Sequence, residues 1–205
     1  MRNLNVSQSM WRALAIAGVL LLAVPTFGCG NREVTGDYPA ANKNDGLPDV
    51  SLIDQRGDAI SLASLKGKPV LINFIYTSCT STCPMLTAKM VQVAHELGPA
   101  LGADVKIVSI TLDPEHDGPV ELANYAKAQG AADSGWIFLT GKPSDIDRVL
   151  AQYKLRRTRE SDGSIMHSVS AFLLGPDGHQ IRQYNALDVS PKSVAADVDR
   201  ALGKG

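Results

Sequence analysis

The chain has 205 residues, with 20 Lys and Arg against 21 Asp and Glu for a formal net charge of −1. A hydrophobic share of 44% and a charged share of 20% are those of a folded globular protein. The length suits one ordinary domain plus a targeting segment, and the charge balance excludes recruitment of nucleic acid through bulk electrostatics.

Residues 1–28 hold Arg2 and Arg12 as their only charges, followed by an apolar run over 13–24 and then Pro25-Thr26-Phe27-Gly28-Cys29. This arrangement reads as a secretory export segment over 1–29. The apolar run is shorter than the roughly 20 residues that a comfortable spanning helix needs, with an uncleaved anchor as the alternative to a cleaved signal. Gly28-Cys29 resembles the bacterial lipoprotein processing site. Of three cysteines, a pair at 79 and 83 leaves Cys29 as the odd one in an exported chain. Lipidation of Cys29 accounts for it, and loss of Cys29 with a signal cleaved further on is the alternative. Residues 30–47 are polar, turn-rich and aperiodic, as a flexible tether is. The expectation is a domain over 48–205, anchored to a membrane on the extracytoplasmic, periplasmic side of a bacterial cell envelope.

The folded part opens with a hairpin, in which Val50, Leu52 and Ile60, Leu62 alternate on either side of a turn at 54–58. Residues 69–76 form an apolar, β-branched and aromatic run, as a buried strand should. Leu86, Met90, Val93, Ala94 and Leu97 then recur at steps of three and four, the mark of one buried helical face. Pro84 restricts where that helix begins, because proline is tolerated only in the first turn. Ser81 or Thr82 is the expected cap. Residues 105–112 read as a second strand and 119–129 as a helix stopped by Gly130. A short strand at 136–139 and a helix over 144–153 capped by Ser144 follow. Arg156, Arg157 and Arg159 lie in a polar loop ending at Asp162-Gly163. Residues 168–174 and 180–184 flank a Pro176-Asp177-Gly178 turn as a second hairpin, and a last helix starts after Ser190-Pro191. The order predicts an α/β protein with parallel strands joined by helices. It matches the thioredoxin-like fold, a mixed sheet flanked by helices, here with an N-terminal β-hairpin.

Between the 69–76 strand and its helix lie Cys79 and Cys83, with three residues between them. A helix entrance offers positive potential and N–H donors, which favour thiolates over thiols at both positions. Two such sulfurs suit soft-metal binding or disulfide exchange. Parallel strands present their C-terminal ends on one edge, where α/β sheets place their sites. Cys79 follows one such strand, and His116, with Asp113 and Asp117, follows another. The antiparallel strand at 168 starts on the same edge, which makes His167 the candidate third ligand. His95 is expected to face water and His179 to lie at the opposite end of the sheet. His116, beside three carboxylates, is either a solvated residue or an added metal contact. Two cysteines and one histidine suit copper, whereas structural zinc would call for a fourth protein ligand. A disulfide closing so small a loop would restrict the unfolded chain little, which makes a purely structural bridge unattractive.

Three motifs carry a family resemblance: Phe-Ile-Tyr-Thr-Ser-Cys-Thr-Ser-Thr-Cys-Pro-Met (74–85), Leu-Asp-Pro-Glu-His-Asp-Gly-Pro (112–119) and Met-His-Ser-Val-Ser-Ala-Phe-Leu-Leu-Gly-Pro-Asp-Gly (166–178). Together they resemble the Sco/SenC family over about residues 48–202. The resemblance implies a membrane-tethered thioredoxin fold that binds copper through Cys79, Cys83 and His167. It also implies delivery of copper or reducing equivalents to the dinuclear CuA site in subunit II of cytochrome c oxidase. Asp117 matches an acidic residue of the family's Asp-Pro motif. The chain departs from the pattern at His116 and Gly118, where the family usually has Arg and Thr, and at Met166, where an acidic residue is common. None of these changes removes a ligand. Two functions follow as expectations. One is a copper chaperone serving subunit II or another cuproprotein. The other is a thiol–disulfide oxidoreductase that uses Cys79 and Cys83 to reduce an apo-cuproprotein and is itself recharged by a thioredoxin-like reductant.

Overall fold

The computed structural model describes residues 46–132, 135–166, 168–185, 187–188 and 190–204. Strands β1 (Ser51–Asp54) and β2 (Ala59–Ser61) pair antiparallel around the expected turn. The turn is closed by the buried carboxyl of Asp54, which accepts the N–H groups of Arg56 and Asp58 and the Arg56 guanidinium.

All six residues of β3 (Val70–Ile75) are buried. A strand covered on both faces has no solvent side to supply alternation, so its sequence reads as a continuous apolar run. β4 (Lys106–Thr111) and β5 (Trp136–Thr140) follow in parallel, while β8 (Ser170–Leu174) and β9 (Gln180–Asn185) form the antiparallel pair at the other side. The sheet order is β2-β1-β5-β4-β3-β8-β9. Polar side chains cross its centre as a chain of hydrogen bonds, from Trp136 Nε1 to Ser109 Oγ (2.9 Å) and from Ser109 Oγ to Asn73 Oδ1 (2.6 Å).

The helices are α1 (Thr82–Leu97), a short α2 (Ala100–Ala103), α3 (Pro119–Ala128), α4 (Pro143–Gln152) and α5 (Pro191–Ala201). Leu86, Met90, Val93 and Leu97 of α1 are buried as the periodicity requires, Ala94 is half-buried, and α1 packs against α5. Proline opens α3, α4 and α5, where its missing N–H costs nothing. At α4 this moves the start: Pro143 takes the first helical position, Lys142 stands at the cap without a side-chain bond, and Ser144 falls inside the helix rather than capping it. Ser190 does cap α5, accepting from the Ser193 N–H at 3.2 Å.

The polar loop after α4 differs most from expectation. It contains a small second sheet of β6 (Thr158–Arg159) and β7 (Ile165–Met166), turned by Asp162 and by Gly163 at φ 85°. Two-residue strands are too short to carry a periodic signature.

Register fixes where a site can lie. Ile75 pairs with Thr111 and Asn73 with Ala171, so the ends of β3 and β4 and the start of β8 share one edge. Val70 pairs with Leu174 at the other end, and His179 beyond it is exposed and bridges to Gly46, as expected for a residue far from the cysteines. His95 is exposed near the end of α1, also as expected. No helix among the described residues is long and apolar enough to cross a membrane.

Candidate metal centre

The chain leaves β3 through Tyr76, whose carbonyl accepts the Cys79 N–H at 3.3 Å to form a tight turn. α1 then starts at Thr82, with Pro84 in its first turn, where the missing donor costs nothing. Ser81 stands at the N-cap but makes no side-chain cap bond. The Cys79 sulfur takes that part instead, accepting the Cys83 N–H at 3.3 Å. The two cysteines therefore meet at the helix entrance, and both are thiols.

Their environments are unequal, which corrects the expectation of two poised thiolates. Burial works against ionisation of Cys79. The Cys83 N–H, the Cys83 thiol, the Ser81 N–H and the Tyr76 hydroxyl outweigh it by hydrogen-bonding to the sulfur, and bring its pKa down to about 7. Burial pushes the Cys83 thiol up, and its bond to Cys79 pushes it further. Cys83 is fully enclosed, whereas Cys79 opens onto a pocket lined also by Tyr76, Ser81, Glu160, Ile165, Met166 and Val169.

The loop after β4 is built onto the same turn. Asp117, almost fully buried, accepts the Thr77 N–H at 3.0 Å, the Thr77 hydroxyl, and the Thr111 hydroxyl at 2.6 Å. Among the described residues His116 forms no metal-holding group with the two cysteines. It is 69% exposed and shares a 2.8 Å hydrogen bond with Asp113 Oδ1. Arg159 of β6 donates to the same carboxyl. Arg157 donates to the Leu112 carbonyl (3.0 Å) and to the carboxylates of Glu115 and Asp147 (both 2.9 Å). The β6–β7 hairpin is thus fastened to the β4 loop. In the sequence Arg157 and Arg159 read only as members of a polar loop, and this role went unseen. Three arginines within four residues, set against Asp113, Glu115 and Asp117, are the signal that could have found it.

His167 and Cys29 lie outside the described residues, and so do the export segment and nearly all of the tether. Among the described residues no group of three His, Cys, Asp or Glu side chains forms a metal-binding cluster.

The model of the SCO1/SenC family matches residues 39–203. The chain belongs to the SCO1/SenC family. The SCO1 protein homolog of Bacillus subtilis (strain 168) is 36% identical over 152 residues, covering 72% of this chain and 78% of that relative. Among solved structures, Bradyrhizobium japonicum ScoI with copper bound is 32% identical with a TM-score of 0.66, covering 76% of this chain and 98% of that one. BsSco, a member of the Sco family of cytochrome c oxidase assembly proteins in which a disulfide switch was identified, is 32% identical with a TM-score of 0.68, covering 79% and 97%. The thioredoxin-like fold expected from the order of elements is the fold of these Sco structures.

Proposed function

We propose that this protein carries copper on Cys79, Cys83 and His167 and delivers it to the CuA site of cytochrome c oxidase subunit II or to another cuproprotein. The observation that carries the reading is the meeting of two thiols at the α1 entrance, Cys79 Sγ lying 3.3 Å from the Cys83 nitrogen. The pocket at this entrance is lined by Met166 and Val169, which bracket His167 in the sequence. Thiolate and imidazole donors fit soft copper. Cys79 ionises near neutrality, and binding of a soft cation displaces the proton of Cys83. Further support comes from ScoI, which holds copper, and from BsSco, a member of a family of cytochrome c oxidase assembly proteins. Residues 1–29 then serve as the export segment and 30–47 as the tether, with lipid on Cys29 holding the domain at the outer side of the bacterial membrane.

Copper titration of the reduced full chain and of its His167→Ala form tests the reading. One tightly held copper with thiolate-to-Cu(II) absorption bands, lost in the variant, is the expected result. No stable copper in the unaltered chain contradicts it.

The inequality of the thiols favours a second reading, reduction of a disulfide in an apo-cuproprotein. The Cys79 thiolate attacks the partner disulfide and expels one partner sulfur as a thiolate. Cys83 then loses its proton and attacks Cys79 Sγ, expelling the other partner sulfur. This leaves a Cys79–Cys83 disulfide and a partner carrying both electrons as a dithiol. A thioredoxin-like reductant restores the pair.

A further inference from the structure

Tyr76 follows directly on β3, is only 6% exposed, and faces two elements at once. The Ile165 N–H, on β7, donates to the Tyr76 hydroxyl oxygen at 3.3 Å. A phenol oxygen can accept one hydrogen bond while its proton is donated in another. The Cys79 sulfur is hydrogen-bonded to it, and both residues line the same pocket as Ile165 and Met166. A phenol is protonated at neutral pH and is therefore a donor.

Resting on the copper reading above, we propose that Tyr76 is a positioning residue of the site, donating to Cys79 Sγ while held by the Ile165 N–H, and so joining the thiol to the β6–β7 hairpin. A hydrogen bond to a thiolate withdraws electron density from sulfur, and such bonds tune a copper–thiolate centre. The same hydroxyl also sets the distance between the Cys79 turn and the strand that leads to residue 167.

The test compares the full chain with Tyr76→Phe and with 3-fluorotyrosine placed at position 76. Phenylalanine keeps the ring and removes the hydroxyl, whereas fluorine strengthens the phenolic donor. The thiolate-to-Cu(II) band is expected to move to longer wavelength with phenylalanine and to shorter wavelength with fluorotyrosine. A merely structural tyrosine would not give shifts of opposite sign, so an unmoved band overturns the donation to Cys79. In the metal-free reduced chain, the Ile165 amide is expected to exchange about fivefold faster in Tyr76→Phe, the effect of losing one ordinary hydrogen bond. Unchanged exchange overturns the link to the hairpin. If the unaltered chain holds no copper, the copper reading falls on its own account, and the Ile165 amide still decides the link.

Discussion

Cys79 and Cys83 are four positions apart, yet the chain donates hydrogen bonds to one sulfur and encloses the other. Because the Cys79 pKa is lowered to about 7, its thiolate is the major form above that pH and falls away about tenfold per unit below it. Alkylation of the reduced, metal-free chain by iodoacetamide, followed by peptide mass spectrometry, should therefore label Cys79 at a rate that rises through about pH 7 and then levels off. Cys83 should stay unlabelled while the chain is folded, and equal labelling of the two would contradict the assignment. The spacing and Pro84 made the turn legible in the sequence. Which sulfur opens onto the pocket was not, since that depends on β7 closing over one side of the turn. Tyr76 was hidden for a related reason, reading as one more apolar residue at the end of a buried strand. Asp117 is equally placed to matter: its carboxyl accepts three hydrogen bonds from Thr77 and Thr111. Asp117→Ala strands those donors and should lower stability by about 3 kcal/mol in urea unfolding, the cost of unsatisfied buried groups.

The β6–β7 hairpin is the element whose placement matters most to the site, and it was the least legible. Its strands are two residues each, so the sequence showed only a charged loop. Charge helps to hold it, through Arg159 on Asp113 and Arg157 on Glu115 and Asp147, beside the buried Ile165. Burial works against ionisation of Asp113, but His116 and Arg159 beside it hold the carboxyl below its usual value of 3.8. A lowered carboxyl pKa contributes stability above the unfolded value, and that contribution is lost as pH falls through the folded one. The melting-temperature difference between the unaltered chain and Arg159→Ala should therefore close as the pH falls below about 4. A difference that persists in acid would mean that Arg159 acts through packing rather than through Asp113.

In the molecule taken together, most of the sheet could be read in advance because its central strands are covered on both faces. β3 and β8 are buried throughout, and their apolar runs stand out from the polar turns around them. The parallel order β3-β4-β5 and the antiparallel β8 bring the starts of two motifs and the opening of β8, within the third, to one edge. That convergence suits the edge to the transfer of a soft metal. Transfer is read most simply by mixing the copper-loaded full chain with the metal-free soluble CuA domain of cytochrome c oxidase subunit II and following the CuA absorption. CuA absorption is expected to appear as this chain loses its copper, and Cys79→Ser is expected to abolish the transfer. Copper that stays on this chain, or CuA formation at the same rate with Cys79→Ser, would contradict a delivery role for the two thiols.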